Sequence, residues 1–176
     1  MARLTALRVD AIRDSKAPRR TKVGERVVFL AGMGIFKDFS PTEIEKIAAI
    51  CRPVSFREGQ VMVEEGARGR DLFLIKRGRV SITLSKSPGR YDLGTITKCE
   101  PGQVVGELSF IDVARRSTWV IALDTVEALQ ITWADFSRLV EEDLRIGYQF
   151  YRNVALLITE RLRDTTMFCS NLMGIR

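Results

Sequence analysis

The chain contains no histidine. That absence removes the commonest general base, the commonest metal ligand and the side chain that titrates near neutral pH. Histidine-based catalytic triads, zinc-hydrolase centres and histidine-ligated haem go with it. Cysteine is scarce. Cys51, Cys99 and Cys169 stand far apart in a chain of 176 residues, a spacing that suits neither a disulfide framework nor zinc or iron-sulfur ligation. Reduced and mostly buried thiols are expected. Apolar runs are short: none approaches the roughly 20 residues that span a bilayer, and the N-terminus has no signal-peptide core. The expectation is a soluble, cytoplasmic protein with no membrane span.

What is present is 45% hydrophobic and 28% charged residues, enough for one domain with a real core. A domain of this size buries roughly 70% of the surface its unfolded chain exposes, so it needs neither a disulfide nor a structural metal. The net charge of +6 is uneven, because residues 1–26 hold eight Lys or Arg against three acids and account for +5 of it. Such a basic arm can meet phosphate or anionic lipid, although short charged termini are commonly just solvated. The remainder carries no basic stripe interleaved with aromatics, so nucleic acid is not an expected partner.

Hydrophobic periodicity divides the chain. Ser40-Pro41-Thr42-Glu43 reads as a capping box with proline at the first helical position, and Ile44, Ile47, Ala48 and Cys51 then share one helix face up to about Arg52-Pro53. From there to about Thr132 the period is two, in Val61/Val63, Leu72/Leu74, Val80/Ile82/Leu84, Thr95/Thr97 and Trp119/Ile121. Gly59, Gly66, Gly69, Gly78, Pro88-Gly89, Gly94 and Pro101-Gly102 punctuate these runs. Many short strands with glycine turns predict a closed or rolled antiparallel sheet.

Beyond Thr132, a predicted N-cap, the period returns to that of a helix, first around Phe136, Leu139 and Val140 and then from about Asp143 to Leu172. Along this second segment Tyr148, Tyr151, Ala155, Ile158, Leu162, Thr165, Cys169 and Leu172 alternate three- and four-residue steps, the spacing of a heptad seam. Ile146, Phe150, Val154 and Leu157 form a second stripe suited to packing on the sheet. A single broad core-facing stripe is the alternative to a dimer seam. The resulting division is a basic arm at 1–26, a β-roll with short flanking helices at 27–142, and a long C-terminal helix at 143–176.

The segment that carries chemistry runs from Pro101 to Val120. Gly106-Glu107-Leu108-Ser109 precedes Arg115-Arg116-Ser117-Thr118-Trp119, so that two glycines and a carboxylate stand nine residues before an arginine leading into a strand. Glycine lets the backbone approach a ligand closely, a carboxylate accepts from sugar hydroxyls, and a guanidinium pairs with two phosphate oxygens. The pattern suits a phosphate-plus-ribose ligand. Glu107 and Arg116 could instead pair with each other, but a surface ion pair contributes only about 0–1 kcal/mol and leaves the glycine context without a purpose.

From about Phe29 to Thr166 the sequence resembles the cyclic nucleotide-binding domains of the bacterial catabolite activator and of the regulatory subunits of cAMP-dependent protein kinase. Phe56-Arg-Glu-Gly59-Gln, Glu64-Glu-Gly66, Leu72-Phe-Leu-Ile75 and Gly78-Arg-Val80 are similar to the turns and strands of that family's roll. Pro101-Gly102 and Gly106-Glu107-Leu108 resemble the entrance to its phosphate cassette. The resemblance implies a mainly β fold with flanking α, an antiparallel β-roll (double-stranded β-helix) with an N-terminal helix and a long C-terminal helix.

It also implies roles. Glu107 would hold the ribose 2'-OH, Gly106 with the Leu108 and Ser109 amides would line the sugar phosphate, and Arg116 would bind the cyclic phosphate, helped by Ser117. Where the activator's cassette arginine is followed by Ser-Ala-Trp-Val, Arg116 is followed by Ser117-Thr118-Trp119-Val120, with Thr118 as the departure. Arg115 stands where many members have proline. Arg161-Leu-Arg-Asp-Thr165-Thr166 aligns with the activator's long helix, where a Thr-Ser pair touches the adenine and one of its members reaches across the dimer. Thr165 and Thr166 are therefore candidate base contacts, solvent exposure on the helix being the alternative.

The function implied is a non-enzymatic sensor with no cofactor, whose ligand is cAMP, or cGMP or cyclic di-GMP in its place. Ser117 favours cAMP, because threonine there is often linked to cGMP in kinase-type domains. A homodimer through the C-terminal helix and a downstream protein partner go with that reading. Two alternatives have other sources of function: an interaction module with a degenerate roll, whose arm and seam would do the work, and the sensory part of a transcription regulator. The activator's winged helix-turn-helix follows its long helix, whereas only ten residues follow Thr166 here.

Overall fold

The computed structural model describes residues 19–85 and 93–174; the basic arm up to Pro18 and the Pro88-Gly89 turn lie outside them. Eight strands make two four-stranded sheets, with order β1-β8-β3-β6 in one and β2-β7-β4-β5 in the other. The strands are β1 (Arg52–Phe56), β2 (Val61–Val63), β3 (Asp71–Arg77), β4 (Val80–Ser85), β5 (Leu93–Cys99), β6 (Val104–Val105), β7 (Trp119–Ala122) and β8 (Val126–Thr132). Every pairing is antiparallel. Around the roll lie α1 (Arg19–Ala31), a 3-10 turn (Gly34–Phe36), α2 (Pro41–Ile50), α3 (Glu107–Asp112), α4 (Trp133–Glu142) and α5 (Leu144–Met173). The fold is the predicted antiparallel β-roll with flanking helices and a long C-terminal helix.

Alternation along β3 and β8 separates two apolar clusters. Phe73 and Ile75 of β3, with Val126 and Ala128 of β8, point between the sheets and join Phe56, Val80, Val105 and Val120. Leu72, Leu74, Leu129 and Ile131 point the other way, into a helical cluster with Leu30, Ile47, Phe110, Phe136 and Phe150. A strand covered on both faces has no reason to alternate in polarity, which is why Leu72-Phe-Leu-Ile75 reads as an unbroken apolar run. Pro53, which cannot donate a ladder bond, sits on the edge strand β1.

The caps form as the residues require. Ser40 Oγ accepts from the Glu43 amide at 3.3 Å while the Glu43 carboxylate accepts from the Ser40 amide at 2.6 Å, which starts α2. Thr132 Oγ1 accepts from the Asp135 amide at 3.2 Å and starts α4. On α5, Ile146, Phe150 and Val154 are fully buried, and Asn153 and Gln149 donate to the carbonyl of Lys37 and so tie the 3-10 turn to the helix. The other stripe is largely uncovered, with Tyr148 at 70% and Leu162 at 65% exposure. Ile158 is the exception, because it packs partly on the helical cluster.

Two features, α1 and Trp119, differ from expectation, while the thiols are mostly buried as expected. Helix α1 begins at Arg19 and crosses residue 26, so the last part of the basic segment is helical and Arg26 caps carbonyls of Ala48 and Cys51. Cys51 and Cys99 are buried, but Cys169 is exposed on α5. Burial pushes the Cys51 thiol up to about 12, which leaves it inert. Trp119, whose alternation with roll-facing residues in the sequence points to the core, is only half-buried. Among the described residues no helix is long and apolar enough to cross a membrane, and no cluster of acidic or cysteine side chains is placed to hold a metal.

Candidate functional site

Between β6 and β7 the chain leaves the roll, forms α3 and returns, enclosing a cleft of about 110 Å3. Val63, Ile82, Val105 and Val120 line it from the roll, and Gly106, Glu107, Leu108, Ser109, Arg116, Ser117 and Thr118 line it from the connecting segment. All seven cassette residues singled out in the sequence are therefore brought together. The four apolar lining residues were not singled out, because an inward valine or isoleucine in a strand has the same signature whether it meets a ligand or another side chain.

Local chain geometry fixes Arg116. Its backbone amide donates to Ala67 O at 3.0 Å and its carbonyl accepts from the Gly66 amide at 2.8 Å, so the β2–β3 loop holds it like an extra strand residue. Arg115 reinforces that loop from outside, with Nη1 donating to Gly66 O at 2.7 Å. The Arg116 side chain, 7% exposed, turns inward. Nη1 donates to Gly106 O at 3.0 Å and to Ser109 Oγ at 2.7 Å, and Nη2 donates to Asp71 O at 2.8 Å. Burial pulls its pKa below the usual arginine value, while the charges of Asp71 and Glu107 oppose that fall, and it remains a cation.

Two glycines make room for this guanidinium. Gly106 has φ +87°, and a Cβ there would stand 2.6 Å from Arg116 Nη1 and 2.7 Å from Asp71 O. A side chain at this position would meet both a backbone penalty and a steric one. At Gly69 a Cβ would press on Arg116 Nε and Nη2 at 3.4 Å.

Glu107, 7% exposed, does not pair with Arg116. Its carboxylate accepts from Arg161 of α5, which also donates through Nη2 to Val104 O at 2.8 Å. Arg161 is the contact that sequence reasoning left without a role: only a fold that returns α5 across the cassette makes the pair. Cys99 lies close by, and burial raises its pKa against the opposing effect of Arg161.

Thr165 and Thr166 are not brought to the cleft. Both are exposed, and their hydroxyls donate to Arg161 O and Leu162 O at 2.8 Å each, one helical turn back. Phe110, on the buried side of α3, packs against Trp133, Phe136 and Phe150 at centroid distances of 5.3, 5.3 and 5.8 Å. Any shift of α3 is therefore felt directly by α4 and α5.

The family model for the cyclic nucleotide-binding domain matches residues 53–143. The cyclic AMP receptor protein of Thermus thermophilus is 23% identical over 138 residues, covering 78% of this chain and 61% of that protein. The CRP-like cAMP-activated global transcriptional regulator of Mycobacterium tuberculosis is 32% identical over 136 residues, covering 77% of this chain and 58% of that protein. The chain thus spans about three-fifths of the length of these relatives. Among solved structures, a cyclic nucleotide-binding domain from Methylobacillus flagellatus superposes with a TM-score of 0.71 at 23% identity, covering 82% of this chain and 80% of its own.

Proposed function

The chain belongs to the cyclic nucleotide-binding domain family, and from that premise we propose that its cleft takes up the ribose phosphate of cAMP as a non-enzymatic sensor. The observation that carries this is the buried Arg116, a cation lining the same cleft as the carboxylate of Glu107. A buried cation is stable only where its charge is answered. Backbone carbonyls answer it in part, and a cyclic phosphate answers it in full through two charge-assisted bonds. Glu107 accepts from the ribose 2'-OH, and Thr165 and Thr166, which lie outside the cleft, become base contacts once α5 moves over the ligand.

Signal transfer follows from sharing. Glu107 holds Arg161, and a ribose hydroxyl would share the same carboxylate, so binding bears on what α5 is tied to. A ligand shifts α5 only by its difference in affinity for the two helix positions. We assign residues 143–176 to the moving lid, 27–142 to the sensor body and 1–26 to a basic appendage. The uncovered stripe of Tyr148, Tyr151, Ala155 and Leu162 is the seam of a homodimer, and the domain serves as the sensory part of a regulator that acts on a protein partner.

Titration calorimetry with cAMP, cGMP and cyclic di-GMP tests the ligand assignment. Tightest binding is expected for cAMP, in keeping with Ser117 in the cassette and with the cAMP-activated mycobacterial relative. Tighter binding of cGMP or cyclic di-GMP would replace cAMP as the ligand.

A further inference from the structure

Arg70 stands between two residues that seat Arg116. A Cβ at Gly69 would press on Arg116 Nε and Nη2 at 3.4 Å, and Asp71 O accepts from Arg116 Nη2 at 2.8 Å. The Arg70 side chain goes to the helical side of the roll. There its Nη2 donates to Phe110 O at 3.2 Å, in the last turn of α3, where helix carbonyls lack an internal partner. Its Cζ lies over the ring of Trp133, the first residue of α4, at 3.7 Å from the centroid. Tyr151 of α5 is near enough for the Arg70 charge to oppose the rise that burial gives its phenol pKa. Arg70 Nε, by contrast, is buried without a hydrogen-bond partner. One half-buried side chain thus touches α3 and α4 and acts on α5, from a backbone segment fastened to Arg116.

We propose that Arg70 is the positioning residue that carries a displacement of Arg116 to α4 and α5, by holding the end of α3 against the first residue of α4. The inference rests on the reading of the cleft as a cyclic nucleotide site and adds to it a route from ligand to helix. Phe110 packs on Phe136 and Phe150 and so passes on a shift of α3, but apolar contact is non-directional. A hydrogen bond and a stack made by one planar guanidinium fix both distance and direction. The unpartnered Nε bears on the same point. A buried donor without an acceptor is costly, so the present arrangement is held against a penalty that a second position of α3 and α4 can relieve. A coupling element needs two such positions.

The test is hydrogen exchange in the intact protein and in Arg70→Met, each with and without saturating cAMP, read over residues 133–142, none of which lines the cleft. Calorimetry gives the affinity of each protein for cAMP. The methionine keeps an aliphatic stem and removes the cation and its donors. In the unmodified protein cAMP is expected to change exchange over both α3 and 133–142. In the variant the change over 133–142 is expected to be lost and the change over α3 kept, with cAMP affinity within about ten-fold of the unmodified value. An arginine that only stabilised the fold would, when removed, raise exchange with and without cAMP and leave the ligand-induced difference over 133–142 in place, and that result would overturn the proposal. So would a larger loss of affinity, which would make Arg70 a support of the cleft itself. Binding of cAMP by the unmodified protein with no change over 133–142 would overturn the inference and leave the nucleotide reading standing; no binding of cAMP would remove that reading and this inference with it. Should Arg70→Met melt below the assay temperature, Arg70→Lys keeps the charge and a donor for Phe110 O, gives up the planar face, and is read in the same way.

Discussion

Glu107 and Arg161 are partners across 54 residues of sequence, the carboxylate at the start of α3 and the guanidinium more than halfway along α5. The pair fastens the long helix to the segment that lines the cleft, and Arg161 adds a second tie through Val104 O. Under the proposed function, ligand recognition and helix position share one carboxylate.

That sharing sets the expected behaviour of Glu107→Gln. The amide keeps the shape but loses the charge, so the hydrogen bond to the ribose hydroxyl falls from the charge-assisted class to the neutral one. The unmodified protein is expected to prefer cAMP over 2'-deoxy-cAMP by about ten-fold or more, and the variant is expected to lose most of that preference. Competition binding with the two nucleotides measures it, and an unchanged preference would remove Glu107 from the ribose contact.

Arg116→Lys keeps the positive charge and discards the planar fork. A single ammonium cannot serve Gly106 O, Ser109 Oγ and Asp71 O while also gripping a phosphate. The variant is expected to bind cAMP at least about a hundred-fold more weakly and to melt lower, since each abandoned buried acceptor costs about 1–3 kcal/mol. Calorimetry and a melting curve together check this. Near-normal affinity would contradict the assignment of Arg116 to the phosphate.

The seam is tested with the paired substitution Tyr148→Glu and Leu162→Glu, two residues that face solvent and not the roll. Sedimentation is expected to give a dimer for the unmodified protein and a monomer for the variant. Cys169, exposed on the same helix, gives a second readout, because a short bis-maleimide is expected to link two copies only in the unmodified protein. A monomeric unmodified protein would contradict the seam.

Acid stability depends on Glu43. Burial pushes its pKa up, but hydrogen bonds from Arg145 and from the Ser40 amide and hydroxyl outweigh that and hold it below the ordinary value of 4.5. Because the folded value is the lower one, this carboxylate contributes stability above pH 4.5 and loses it as pH falls through the folded value. Glu43→Gln is expected to cost about 1–2 kcal/mol near neutrality and progressively less as pH falls from neutrality to well below 4.5. Thermal melts of both proteins across that range check the convergence; parallel curves would contradict it.

The legible parts of the molecule were those set by local rules. The capping box at Ser40, the cap at Thr132, the strand periods and the glycines beside Glu107 and Arg116 each act within a few residues, and the fold and the cassette followed from them. The less legible parts are contacts between distant segments. Arg161 carries no local mark that distinguishes it from Arg163, and its role appears only when α5 lies against β6 and α3. Helix α1 was hidden because Arg19-Arg20-Thr-Lys22 offers neither a cap nor an apolar period, while the residues that bury it, Val23, Val27 and Leu30, follow later in the segment. The four apolar residues of the cleft were equally hidden, since packing and ligand contact call for the same side chains.

The most direct test of the central claim is thermal unfolding of nucleotide-free protein with cAMP and with 5'-AMP at matched concentration. The two ligands share base and sugar and differ in the closed phosphodiester that the cleft is proposed to hold. At about 100 times its dissociation constant cAMP is expected to add roughly 2.7 kcal/mol, a rise of about 5–10 °C for a chain of this size, with little or no rise from 5'-AMP. Equal shifts with the two, or no shift with either, would contradict it.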